Sequence, residues 1–152
     1  MICGRCTKLI LRNENYVASV ENRQRKLLCQ NCYDAKMRDV ARATQEKLAA
    51  NNYLIVHLSR ARKFGLSATL TLEQWNETKE HFYQRCAYCL SSPLECLEHF
   101  VPLTLGGGTT QWNCVPACKT CNLKKRNYHP ALVKLIPEED IERVREYLMN
   151  FL

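Results

Sequence analysis

Eight of the ten cysteines fall into four Cys-x-x-Cys pairs: Cys3 with Cys6, Cys29 with Cys32, Cys86 with Cys89, and Cys118 with Cys121. The first two pairs are 22 residues apart and the last two are 28 apart. Two such pairs bring four thiolates together and close one tetrahedral zinc site. The regularity suits zinc in a reducing compartment better than a disulfide framework. The spacing therefore predicts two structural Zn2+ ions. A four-thiolate site has no open position, so it holds a fold and does no chemistry. A redox Cys-x-x-Cys is disfavoured, because no thioredoxin-like βαβ pattern surrounds the pairs. Cys96 and Cys114 are left over and read as small hydrophobes on strands, where they could oppose each other.

The 152 residues suffice for one ordinary domain or two small ones, and 46% hydrophobic content is normal for a globular chain. The formal charge is +7, which favours a polyanionic partner. Each four-thiolate zinc site contributes −2, so two sites lower that charge to +3. Where Lys and Arg sit is therefore more informative than their sum. No secretory signal and no apolar run near the ~18 residues of a membrane span is present. The expectation is a soluble, cytoplasmic protein with no membrane partner.

Residues 1–33 read as a zinc-ribbon-like module. Lys8–Arg12 and Tyr16–Val20 are expected as short strands around an Asn13-Glu14-Asn15 turn, with Leu27-Leu28 leading back to the second pair. So small a segment cannot fold on apolar contacts alone and would draw its folding free energy from zinc. Arg23, Arg25 and Lys26 would touch nucleic acid, or be solvated charges on a docking or dimerisation knob. Residues 34–65 read as a helical connector, with Asn51-Asn52 as a break and a second helix over 53–63. Arg60, Arg62 and Lys63 are candidate phosphate contacts or charges complementing the helix C-terminus. His57 is read as a packing or surface residue.

Thr71-Leu72-Glu73-Gln74 has the form of a capping box opening a helix to about Gln84. Leu94–Leu103 is expected as a strand and its exit, Gly106-Gly107-Gly108 as a flexible loop, and Trp112–Pro116 as a second strand. A helix carrying Asn122, Lys124, Lys125 and Arg126 then follows the last cysteine pair. Adjacent strand residues point to opposite faces, so Glu98 and His99 share a face only if the chain bends. Pro102 favours such a bend. Residues 131–152 read as a packing helix with Glu138, Glu139 and Asp140 in its first turn and a stripe of Ile141, Val144 and Leu148.

The order Cys-x-x-Cys, Glu98-His99, Gly turn, Asn113, Cys-x-x-Cys, Asn122 resembles the HNH endonuclease family over about a third of the chain. The resemblance implies a ββα-metal core over residues 66–130; with the zinc-ribbon-like module and helical connector read above and flanking helices, the expected architecture is α+β. It also implies a metal-dependent endonuclease hydrolysing DNA phosphodiester bonds by nicking or double-strand cleavage. In that scheme His99 is the general base. Glu98 and Asn122 ligate one Mg2+ or Mn2+, and Asn113 bonds loop backbone and orients His99. Lys124, Lys125 and Arg126 would contact the DNA backbone. Glu98 stands where the family more often has Asp, and Asn122 where its name-giving members have His; both can ligate a hard cation through oxygen. Compact members are often found in phages, so a bacterial or phage-infected cell is expected. A homodimer is left open. The alternative reading is a non-catalytic zinc-ribbon nucleic-acid-binding protein. A rubredoxin-like iron centre would leave Glu98-His99 unexplained.

Overall fold

The computed structural model describes residues 1–10, 16–21 and 24–151. The fold is α+β: four strands in two antiparallel pairs, four α-helices and two short 3-10 helices, Leu103–Leu105 and Pro130–Leu132, among the described residues. The chain divides into two compact units, Met1–Ala49 and Ala50–Leu152.

In the first unit, β1 (Tyr16–Glu21) pairs antiparallel with β2 (Gln24–Cys29), with Val17 opposite Leu28 and Ser19 opposite Lys26. The described partner of 16–20 is the segment leading into Cys29, and Leu9 bridges Ile2; of the expected strand Lys8–Arg12, Leu11 and Arg12 lie outside the described residues. The expected Asn13-Glu14-Asn15 turn and Arg23 lie outside the described residues. Among the described residues, Cys3, Ile10 and Leu28 are the buried side chains of its core, with Leu27, Cys29, Cys32 and Tyr33 packed against them half-buried. At about 1.5–3 kcal/mol per large apolar side chain, that core is too small to hold the unit, which is why the cysteines matter here. Helix α1 (Gln30–Lys63) starts directly after Cys29 and carries Cys32 in its first turn.

Helix α1 is continuous through Asn51-Asn52, so the expected break is absent. Asn disfavours a helix interior by well under ~1 kcal/mol relative to Ala, and good helix formers flank the pair. Residues 50–63 of this helix belong to the second unit. There Leu54 and Leu58 pack with Leu70, Trp75, Leu97 and Cys114. The helix closes in a Schellman motif: Leu66 N–H bonds Ala61 O at 3.0 Å and Gly65 N–H bonds Arg62 O at 2.9 Å. Gly65 takes the left-handed φ of +67° that this ending requires.

The Thr71 capping box forms in both directions: Gln74 N–H donates to Thr71 Oγ1 at 3.2 Å and Thr71 N–H to Gln74 Oε1 at 2.9 Å. It opens α2 (Leu72–His81), which stops short of Gln84 because Tyr83 and Gln84 adopt positive φ. Strands β3 (Cys96–His99) and β4 (Cys114–Ala117) form the second hairpin, both shorter than expected. Cys96 faces Ala117 and Cys114 faces His99, so the two extra cysteines do not oppose each other. Helix α3 (Lys119–Lys125) follows at once, N-capped by Cys118 Sγ, which accepts from Cys121 N–H at 3.4 Å. Helix α4 (Glu138–Met149) lays Ile141, Val144, Tyr147 and Leu148 into the main core with Phe82, Tyr88, Phe100 and Val115. No helix among the described residues is long and apolar enough to cross a membrane.

Candidate metal and catalytic site

The cysteine pairs come together as the spacing predicts. Cys3, Cys6, Cys29 and Cys32 form one cluster, and Cys86, Cys89, Cys118 and Cys121 the other, with the sulfurs of each within 4.8 Å of one another. A tetrahedron with Zn–S bonds of about 2.3 Å has edges of about 3.8 Å; Cys6 Sγ and Cys29 Sγ lie 3.8 Å apart. Backbone N–H groups of Cys6, Cys29 and Arg5 lower the Cys3 thiol to about 6, while contacts with the Cys6 and Cys29 sulfurs raise Cys32. Both clusters fit structural zinc.

The second cluster fastens the loop before β3 to the start of α3. That fixes the hairpin and the helix as one frame, and a cleft of about 460 Å³ opens on it. Glu98, His99 and Asn122 all line this cleft, together with Arg60 and Arg126. Glu98 and His99 are each 8% exposed. They share the cleft because the ladder ends beside them. Phe100 N–H still bonds Asn113 O at 2.8 Å, but Val101 N–H is taken by the Asn113 side chain, and the chain turns into Pro102.

Asn113 holds that turn with three hydrogen bonds. Its Oδ1 accepts from Val101 N–H at 2.8 Å, and its Nδ2 donates to Val101 O at 3.0 Å and Gly108 O at 2.8 Å. It bonds backbone two residues after His99 rather than the imidazole itself. The glycine run is correspondingly fixed rather than free: a Cβ on Gly107 would sit 1.8 Å from Val101 O.

Glu98 Oε1 accepts from Lys125 Nζ at 2.7 Å. Lys125 is fully buried. It is therefore not a DNA-backbone contact, and that expectation is corrected. Burial raises the Glu98 carboxyl, while the Lys125 charge and hydrogen bond pull it down. Burial lowers the His99 imidazole to about 4, helped by the charges of His57, Arg60 and Lys125, so the ring is neutral near pH 7. Its Nε2 lies 2.9 Å from Thr109 Oγ1.

Asn122 Nδ2 donates to Cys96 Sγ at 3.4 Å, while the Cys96 thiol donates to Ala117 O at 3.4 Å. A thiol has one proton; with that proton on Ala117, its sulfur accepts from the amide. The amide nitrogen is thereby engaged, and Oδ1 is left as the free donor atom. Glu98 likewise retains Oε2. Two oxygen donors on one cleft fit a hard divalent cation.

Of the other candidate contacts, Arg62, Lys63 and Lys124 are exposed but do not line the cleft. The Arg25 side chain lies outside the described residues, and Lys26 is exposed in the first unit. His57 lines the cleft, its ring 4.8 Å from that of Tyr53 and 5.8 Å from that of His99, with Nδ1 buried and without a hydrogen-bond partner. Sequence reasoning missed this placement, although a signal existed. His57 lies three residues after Leu54 and four before Ala61, both buried, on one helix face. Lys125 carried a similar signal, lying four residues after the zinc-cluster Cys121. Thr109, on an irregular loop, carried none.

Residues 86–128 match the family described as HNH endonuclease. This segment is an HNH-family domain. It contains the second cysteine cluster, Glu98, His99, Asn113, Asn122 and Lys125. The chain is also similar to YoqL of Bacillus subtilis (strain 168), named as a candidate HNH endonuclease derived from the SPbeta prophage, with 24% identity over 98 residues. That match covers 54% of this chain and 43% of the relative, so less than half of YoqL's length is spanned.

Proposed function

We propose that the protein is a metal-dependent HNH endonuclease that hydrolyses DNA phosphodiester bonds. One observation carries this reading: Glu98, His99 and Asn122 line a single cleft, and Arg60 and Arg126 line it with them. The roles divide by chemistry. His99 presents a neutral imidazole and accepts a proton from the attacking water. Glu98 and Asn122 would hold one Mg2+ or Mn2+ through oxygen, and Asn113 keeps the turn after His99 in place. The bound cation supplies Lewis acidity at the phosphate and its departing oxygen. Arg60 and Arg126 bind the phosphodiester in the cleft. Arg62, Lys63 and Lys124 bind flanking phosphates without reading bases.

In this reading residues 66–130 form the nuclease domain, with 1–33 as a zinc-ribbon-like module, 34–65 as the connector and 131–152 as the packing helix. The setting is the cytoplasm of a bacterial or phage-infected cell, consistent with the prophage origin in YoqL's name. The test is plasmid cleavage, by nicking or double-strand cutting, with Mg2+ or Mn2+ beside His99→Ala. Loss of the base should slow cleavage by about 10²–10⁴-fold. Equal cutting by both proteins removes the assignment.

A second reading has its own support. The Lys125 ammonium already neutralises Glu98 in the buried pair, as a non-catalytic zinc-held nucleic-acid-binding scaffold would allow. Calorimetric titration separates the two. The nuclease binds Mn2+ beyond its two zincs and loses that binding in Glu98→Ala; the scaffold binds none.

A further inference from the structure

Thr109 is fully buried behind the cleft. Its backbone is pinned on both sides: Thr109 N–H donates to Ser67 O at 2.8 Å, while Thr109 O accepts from Thr69 N–H at 3.0 Å and Leu70 N–H at 3.1 Å. The preceding Gly108 carbonyl is held by Asn113 Nδ2 at 2.8 Å. The hydroxyl therefore stands at a fixed point with two neighbours. One is the His57 carbonyl oxygen at 3.1 Å, and the other is His99 Nε2 at 2.9 Å.

These two contacts constrain the state of the imidazole. A hydroxyl has one proton and two lone pairs. A carbonyl oxygen only accepts, so with both contacts made as hydrogen bonds the proton of Thr109 goes to His57 O. Toward His99 only a lone pair remains. Nε2 must then carry hydrogen for the 2.9 Å contact to be a hydrogen bond. In a neutral ring that leaves Nδ1 without a proton and with its lone pair free. We propose that Thr109 is a positioning residue that fixes His99 as the Nε2–H tautomer, so that Nδ1 is the atom that accepts the proton.

This rests on the nuclease reading for its purpose but not for its observation. The tautomer is a property of the resting protein and can be read without substrate. The arrangement also gives helix α1 a role, because the acceptor that orients the hydroxyl is a helix carbonyl 52 positions away in sequence. A Thr hydroxyl suits this place because it relays one hydrogen bond in a fixed direction. Valine has the same shape and no relay.

The test is two-bond 1H–15N correlation NMR on the 15N-labelled, zinc-loaded full chain above neutral pH, with His99 assigned through His99→Gln. The expected pattern is Nε2–H with an unprotonated Nδ1 in the wild type. Thr109→Ser keeps it. Thr109→Val gives a tautomer mixture or the reverse form. In cleavage assays Thr109→Val should lower kcat by roughly tenfold to a hundredfold with KM little changed, by analogy with the loss of an outer partner of a metal-bound histidine, and Thr109→Ser should restore it. A wild-type Nδ1–H pattern overturns the proposal. So does a Thr109→Val spectrum identical to wild type. Should Thr109→Val not fold, the wild-type and Thr109→Ser spectra still decide. A correct tautomer in a protein that cleaves nothing leaves this inference standing and removes the nuclease reading instead.

Discussion

Lys125 Nζ lies 2.7 Å from Glu98 Oε1, with the lysine side chain 0% and the glutamate side chain 11% exposed. A carboxylate in the candidate cation-binding position is thus held from behind by a buried ammonium. Removing one partner of a buried pair leaves the other charge uncompensated, which typically costs about 3–5 kcal/mol. Lys125→Met should therefore destabilise the fold by about that much in urea unfolding. Lys125→Met combined with Glu98→Gln should cost clearly less. A single variant as stable as wild type would mean that the pair contributes nothing.

The same burial separates two neighbours on α3. Lys124 is exposed and Lys125 is not. Lys124→Gln should weaken DNA binding and reduce the slope of log K against log salt by about one unit. Lys125→Gln should leave that slope unchanged. If the slopes respond the other way round, the assignment of the two lysines is reversed.

Each four-cysteine cluster is expected to hold one zinc. Elemental analysis should give two zincs per chain, and a strong chelator should unfold the first unit before the second. The reason is core size: among the described residues, three buried apolar side chains in one unit against the fourteen-residue cluster in the other. Structural zinc contributes on the order of 10 kcal/mol or more to such small folds. One zinc per chain would contradict the two-site arrangement.

Asn113 makes three hydrogen bonds to the turn after His99. Asn113→Ala leaves buried backbone groups unpaired, at about 1–3 kcal/mol for each one that water cannot reach. We expect a loss of about 2–4 kcal/mol in stability and faster amide exchange at Val101. Gly107→Ala should do comparable damage, because its Cβ would collide with Val101 O. Wild-type exchange at Val101 in Asn113→Ala would show that the clasp is dispensable.

His99 carries a folded-state pKa lowered from 6.5 to about 4, first by burial and then by the charges of His57, Arg60 and Lys125. The unfolded chain therefore takes up this proton before the folded one. The associated stability is fully present above pH 6.5 and is lost as pH falls toward 4. The full effect is about 3 kcal/mol at 1.36 kcal/mol per unit. Zinc thiolates also protonate on the acid side, so the reading is a difference. Between pH 7 and 5 the wild type should lose about 2 kcal/mol more than His99→Gln. Equal losses would place His99 in a more solvated setting than the cleft provides.

Much of this protein is written in short-range spacing. A Cys-x-x-Cys pair, a Thr-x-x-Gln box and an acidic first turn each act over three or four residues, so the chain alone determines them. The zinc clusters, the start of α2 and the register of α4 were legible for that reason. So was the order of Glu98, His99, Asn113 and Asn122, which the HNH likeness carries. The continuity of α1 through Asn51-Asn52 was not legible, because a weak local preference against helix yields to the helix formers on both sides. Burial of Lys125 and the placing of His57 and Thr109 beside His99 were decided by tertiary structure. The contacts concerned join residues 10, 27 and 52 positions apart. At such separations a residue's own neighbours carry little information. What decides is which helix face and which loop the packed core brings to the same buried point.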